Sequence, residues 1–408
     1  MSICLPPHAS GRRPGPLALC RLAVALALLG STAWAQTPQA GTADQAPAGL
    51  TWRPGSPSAG HLTAAQLGVV INQSDPVSVA VGEAYVRRRG IPAGQVLRVE
   101  LPDQPELSPA DLGSLQAGIA AQMGPQVQAL LLVWRRPYAV ACHSITSAIT
   151  LGSDPALCAP KGEICRPGRP HAYYNSHTAM PFSLLGIRPS MLLPARSIAQ
   201  GLALVERGVL ADGQLPTEAR PTPTPVAWFE PTTDAARNVR AVRFPPPGMA
   251  GEVEVRVQPA AQGRPGPLLL YQTGTVRVQD PGGLDFLPGA VADHLTSFGG
   301  HLDGAGQMTA LEWLEAGATA SAGTVSEPCN YPQKFPDPQV VLQRLLLGET
   351  VLEAYWKSVM WPAQTLLVGD PLARPLAAAP RRWAAAATTK PQGPALHAPE
   401  DGPKAGDN

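Results

Sequence analysis

Cys329 and His294 are the two residues of this chain whose types could combine into a nucleophile and its base. A cysteine attacks only as its thiolate, so a neighbouring base or positive charge must bring its pKa below the usual value of ~8.5. His294 lies in GAVADHLTSFGG (289–300) and Cys329 in ATASAGTVSEPCNYP (318–332), each where a strand gives way to a loop. Sites in open α/β sheets gather at such junctions. In this reading His294 is the base, Cys329 the nucleophile, and backbone N–H groups near Gly299 or Gly300 are the oxyanion donors. Asp293 stands beside the histidine and can fix its tautomer.

Oxidation competes for the same sulfur. Of the six cysteines, Cys4 and Cys20 fall inside an apparent export signal, leaving Cys142, Cys158, Cys165 and Cys329. An even number of cysteines in an exported chain makes disulfides the default. CAPKGEIC (158–165) contains Pro and Gly and can close on itself, so Cys158–Cys165 is the expected local pair. Cys142 and Cys329, which both follow strands, then pair with each other at the sheet rim. The balance favours this disulfide over a free nucleophile. Zinc is a third use for these residues, because Cys142, His143, Cys158, Cys165, His171 and His177 supply ligand types in one region. The spacing from Cys158 to Cys165 is not that of a zinc finger, and no metal or other cofactor is expected.

Plainer readings exist for the remaining polar runs. GAVADHLTSFGG also fits a strand end with capping hydroxyls and a glycine turn. In TTDAARNVRA, Asp234 fits a helix N-cap with Arg237 and Arg240 on one face. GDPLARP reads as a turn in which Gly369 supplies a positive φ. The sequence holds no G-x-S-x-G elbow, H-E-x-x-H, Walker loop or strand-linked G-x-G-x-x-G, which argues against serine hydrolases, zincins, NTPases and dinucleotide enzymes.

Arg12, Arg13 and Arg21 precede the apolar run LAVALALLG (22–30), and Ala33 and Ala35 follow it. That is a secretory signal with cleavage expected near Ala35. The run is short against the ~20 residues of a membrane span, so the mature chain is expected to be exported, in the periplasm or outside the cell, with no transmembrane segment. A net charge of +1 gives no reason to expect nucleic acid or an anionic membrane as partner. The expected partner is an unidentified protein or cell-envelope component.

The elements that must position these residues alternate. QLGVVIN (66–72), QVLRVEL (95–101) and VQALLLVW (127–134) read as strands. Between them lie helices capped by Asp75 and Ser108. This β-α-β-α-β opening, and the near-continuous apolar strand at 127–134, predict an α/β fold with a mainly parallel sheet and helices on both faces. The expected organisation is a signal peptide (1–35), a flexible leader (36–62), a first βαβαβ part (63–141) and an irregular disulfide-bearing insertion (142–190). A second α/β part (191–375) and a disordered tail (376–408) complete it. The tail is rich in Ala, Pro and charge and offers no apolar face to bury.

Across 65–377, the pieces VAVGEAYVRRRGIP, WRRPYAV, CHSITSAITLG, RGVLADG, TTDAARNVRA, GAVADHLTSFGG, AGATASAGTVSEPCNYPQKFP, EAYWKSV and GDPLARP appear in order. In them the chain resembles an uncharacterised family of secreted proteins from bacteria carrying exosortase, a proposed protein-sorting transpeptidase. That resemblance implies export and a role linked to envelope or exopolysaccharide sorting, with no established reaction. The order of elements is similar to gingipain-type cysteine peptidases of the caspase-like class. Laid over this chain, the peptidase cysteine falls near ADHLTSFGG, which has none, and the peptidase histidine near YQTG (271–274), which has none. The expected function is therefore a non-catalytic binding or accessory factor, with a cysteine hydrolase using His294 and Cys329 as the alternative.

Overall fold

Apolar runs bounded by Asp, Ser and Gly turn signals build alternating strands and helices in the computed structural model, which describes residues 61–160, 163, 166–212, 223–304 and 306–377. The expected export signal, nearly all of the expected leader, Cys165 and nearly all of the expected C-terminal tail lie outside the described residues.

The opening follows the pattern: β1 (Leu67–Asn72), α1 (Pro76–Arg89), β2 (Val96–Val99), α2 (Pro109–Gln122) and β3 (Ala129–Val133). Asp75 caps α1 by accepting from Val77 N, and Gly90 ends it at φ 63°, the left-handed conformation that glycine adopts at least cost. Ser108 caps α2 in the same way through Asp111 N. Every residue of β1 and β3 is buried. Since alternate residues of a strand point to opposite faces, both faces of the sheet must be covered.

The segment expected to be irregular carries more order than its composition announces. β4 (Ala139–Val140) and β5 (His143–Ser144) form a small antiparallel ladder, followed by α3 (Ile145–Leu151), α4 (Pro181–Leu185) and β6 (Ser190–Leu192). Then come α5 (Ile198–Leu210), β7 (Val226–Glu230), β8 (Gly248–Ala250), β9 (Val253–Val257), β10 (Leu268–Gly274) and β11 (Phe286–Leu295). The last elements are α6 (Ala310–Glu315), β12 (Ala320–Thr324), α7 (Pro338–Leu346), α8 (Val351–Ser358) and β13 (Thr365–Gly369). The break between α7 and α8 falls at Gly348, φ 71°, and Gly369 has φ 131°.

Eleven strands form one sheet in the order β2-β1-β3-β6-β13-β12-β11-β10-β7-β9-β8. Neighbours pair in parallel except β12 with β13 and β8 with β9. The antiparallel seam at β12–β13 divides the sheet into two halves whose strands run in opposite directions. Strands β2, β1, β3, β6 and β13 run one way; β12, β11, β10, β7 and β9 run the other. Carboxyl ends of the two halves therefore face opposite edges of the sheet.

Small residues in β12 have a steric cause. The loop after β11 crosses this strand, with Gly300 N donating to Thr324 O at 2.9 Å. A Cβ on Gly323 would stand 2.3 Å from the carbonyl carbon of Gly299. No side chain fits there.

Candidate functional site

His294 sits within β11, not in the loop beyond it, and its side chain is fully buried. The indole N–H of Trp313 donates to its Nδ1 at 2.9 Å. Burial, and then the charge of Arg240, push its pKa down to about 3. Such an imidazole stays neutral and is a very weak base. The carboxylate of neighbouring Asp293 turns away from it, taking Arg240 Nη1 at 2.5 Å and Gln272 Nε2 at 2.9 Å. Arg240 also donates to Thr273 O and Pro336 O. Burial pushes Asp293 up while Arg240 and Gln272 oppose it.

Asp234 does accept from a downstream N–H, that of Arg237 at 3.1 Å, and pairs with the Arg237 guanidinium at 2.9 Å. Arg237 and Arg240 do not share a helix face, however. Arg240 enters the core to meet Asp293, whereas Arg237 reaches Thr296 Oγ1 at 3.2 Å.

The cysteine pairing differs from the expectation. Cys142 is bonded to Cys158, with the Cα atoms 5.5 Å apart. This replaces both Cys142–Cys329 and Cys158–Cys165. Proximity to the chain after β12 does not decide the pairing. After β3 the chain doubles back and brings the Cys142 carbonyl to Ser326 Oγ at 2.7 Å. Its sulfur turns instead to Cys158. Cys329 is also disulfide-bonded, and since Cys142 and Cys158 hold each other, its partner is not among the described residues. Cys329 has φ 48°, and its N–H donates to the Glu327 carboxylate at 2.9 Å.

The register of β11 and β12 pairs Val291 with Ala320, which puts His294 level with Gly323. Five residues of chain then separate that level from Cys329. The structure does not assemble these two residues as a thiolate and its base.

The zinc set also divides. Among the described residues, only Cys142, His143 and Cys158 come together, with their ligand atoms within 4.8 Å of one another. His171 is elsewhere, its Nε2 2.9 Å from Val359 O and its ring edge-on to Trp356. His177 is exposed.

Two crevices open where strand order places them. In the first half β2 and β3 flank β1, so consecutive connections leave β1 in opposite directions and part at its carboxyl end. A cavity of about 240 Å³ lies there, lined by Asn72, Ser74, Leu101, Arg135, Arg136 and Arg196 among others. Arg135 and Arg136 both ion-pair with Asp303, at 2.6 and 2.7 Å. In the second half β9 and β10 flank β7, and a cavity of about 230 Å³ opens at that switch point. Trp228, Glu230, Arg264, Tyr271, Thr275 and Arg277 line it.

The second crevice has a buried aromatic floor beneath charged side chains. Trp228 and Tyr271 stack with centroids 4.3 Å apart. The Tyr271 hydroxyl donates to Glu230 Oε2, and Glu230 Oε1 accepts from Ala260 N at 3.0 Å. Burial, then the Glu230 carboxylate, keeps that hydroxyl protonated. The lining holds no thiol and no imidazole. Sequence reasoning missed these residues. PVAWFE and PLLLYQTG are legible as strands, but that β7 and β10 are neighbours is set by tertiary pairing.

No family model matches the sequence, and no curated protein matches it. Two solved structures show a likeness. One, described as "Structure of Protease", covers 77% of this chain and 79% of its own at 10% identity, with a TM-score of 0.44. The other is the crystal structure of the Arg specific cysteine proteinase gingipain R. It covers 78% of this chain and 80% of its own at 11% identity, with a TM-score of 0.40.

Proposed function

We propose that this chain is a non-catalytic binding protein, exported and serving an envelope protein-sorting system, that holds its partner in the crevice where β7 and β10 end. The observation that carries the reading is the content of that crevice. Its mouth presents a carboxylate and two guanidinium groups, Glu230, Arg264 and Arg277, over a buried floor of stacked Trp228 and Tyr271, and offers no nucleophile beside a base. Arginine is one of the side chains that anchor protein recognition. The sulfur chemistry supports the same reading, since Cys142, Cys158 and Cys329 are all disulfide-bonded and His294 is sealed by Trp313. The export signal read at 1–35, and the resemblance of the ordered motifs to exosortase-associated proteins, motivate the exported setting.

The test is capture of partners from envelope extracts of an exosortase-bearing bacterium, with the unsubstituted chain and with Thr275→Trp. Thr275 is half-buried at the crevice, so a bulky ring there fills the site without entering the core. Partners recovered by the unsubstituted chain and lost by Thr275→Trp, at equal melting temperature, support the reading. Equal recovery by both removes the crevice from it. Hydrolysis by the purified chain that iodoacetamide abolishes establishes the cysteine-hydrolase alternative instead.

A further inference from the structure

Cys142, His143 and Cys158 have a geometry that goes beyond a structural cross-link. His143 is buried, whereas Cys142 and Cys158 are each half-buried. The backbone N–H of Asp154 points at His143 Nε2 across 3.3 Å. A backbone N–H can only donate, so Nε2 accepts and the neutral ring carries its proton on Nδ1. That Nδ1 stands 3.5 Å from Cys142 Sγ and 3.9 Å from Cys158 Sγ. The fold has therefore aimed one fixed N–H donor at both sulfurs of a reachable disulfide.

We propose that Cys142–Cys158 is a redox-reactive site, exchanging with thiols so that the incoming sulfur bonds to Cys158 while Cys142 leaves as a thiolate held by His143. The chemistry follows from what limits exchange. A disulfide opens when a thiolate attacks one sulfur and the other departs with the bonding electron pair, faster when that departing thiolate is stabilised. The N–H of His143 lies nearer Cys142, and hydrogen bonds to charged groups are stronger than neutral ones. Cys142 is thus the better leaving group.

The step balances. A thiolate RS⁻ forms a bond to Cys158 Sγ, the Sγ–Sγ bond breaks, and its electron pair stays on Cys142 Sγ beside the Nδ1–H. With a dithiol as co-reactant, its second thiolate attacks its own sulfur in the mixed disulfide and releases Cys158. Two electrons have then passed to the protein, the dithiol has become a disulfide, and the two protons it lost end on the two cysteine thiols through solvent.

The surrounding fold survives the opening, because α3 is tied down independently. Ser144 Oγ donates to Thr365 O at 2.7 Å, and the Thr150 and Ser190 hydroxyls meet at 3.1 Å.

Three ligands also raise the question of metal. Tetrahedral zinc would hold a ligand sulfur and nitrogen about 3.6 Å apart, and the two S···N distances fall near that. The tautomer argues against it. A metal on Nδ1 would displace the proton to Nε2, where it would face the Asp154 N–H, donor against donor.

The test uses the full, oxidised chain with glutathione at neutral pH, acid quenching, iodoacetamide and peptide mass spectrometry. The expected product carries glutathione on Cys158 and carbamidomethyl on Cys142, in several-fold excess over the reverse. His143→Gln, which keeps an N–H donor, retains that preference. His143→Leu loses it and slows exchange about tenfold or more. Should His143→Leu not fold, the position of glutathione in the unsubstituted chain decides alone. Glutathione on Cys142, an even split, or no adduct until the chain unfolds overturns the proposal. So does a reduced chain that takes up one equivalent of zinc and then resists exchange.

Discussion

The indole N–H of Trp313 and the Nδ1 of His294 meet at 2.9 Å inside a wholly buried aromatic cluster that includes Tyr271. This contact decides what the histidine does. A ring whose acceptor nitrogen is taken by an indole, and which water does not reach, is a packing element of β11 and α6.

An acid-lability of the fold follows from it. His294 titrates at about 3 in the folded chain and at ~6.5 when unfolded. Between those values the unfolded chain binds the extra proton, so stability is complete above pH 6.5 and is lost as pH falls toward 3. The loss attributable to this residue is roughly 2 kcal/mol between pH 6.5 and 5. Urea unfolding of His294→Gln across that range should show a shallower pH slope than the unsubstituted chain. An unchanged slope would mean that His294 is not the group responsible.

The disulfide pairing makes a different demand. Cys142–Cys158 has a sequence separation of 16, for which loop closure gives about 3 kcal/mol, an entropic estimate that depends on the model used. Cys142→Ser and Cys158→Ser should each lower stability by a similar amount, and the double variant by little more than either. Cys329→Ser should add to Cys142→Ser in full, because they belong to different bonds. Non-additivity between positions 142 and 329 would restore the pairing read from the sequence.

Arg240 and Asp293 form a buried ion pair whose remaining guanidinium N–H groups reach Thr273 O and Pro336 O. Removing one partner leaves a buried charge uncompensated. Arg240→Met should cost about 3–5 kcal/mol, and adding Asp293→Asn should recover part of it. A loss below about 1 kcal/mol in chemical denaturation would show that water reaches Asp293.

The local elements were legible because their signals are local. Asp75, Ser108, Gly90, Gly348 and Gly369 each do at a cap, stop or hinge what their chemistry announces. The reversal of strand direction at β12–β13 was not, since five-residue strands carry no mark of their direction. Cys142 and Cys329 were wrongly joined for another reason: the chain after β12 does pass Cys142, but the Cys142 sulfur is taken by Cys158. Arg240 was read as lying on one helix face with Arg237. Its partner Asp293 lies on a strand that becomes its neighbour only on folding. The crevice residues Trp228, Glu230 and Tyr271 were hidden in the same way, each placed by pairing between distant segments.

The central claim is that this chain presents no thiolate nucleophile at Cys329. The direct measurement is iodoacetamide labelling of the oxidised, folded protein without reductant, followed residue by residue from pH 5 to 9. Cys142, Cys158 and Cys329 are expected to remain unlabelled throughout, and to label in full only after reduction in denaturant. Rapid labelling of Cys329 in the native chain, with a midpoint well below the ~8.5 of an ordinary thiol, would contradict the account and point to the hydrolase.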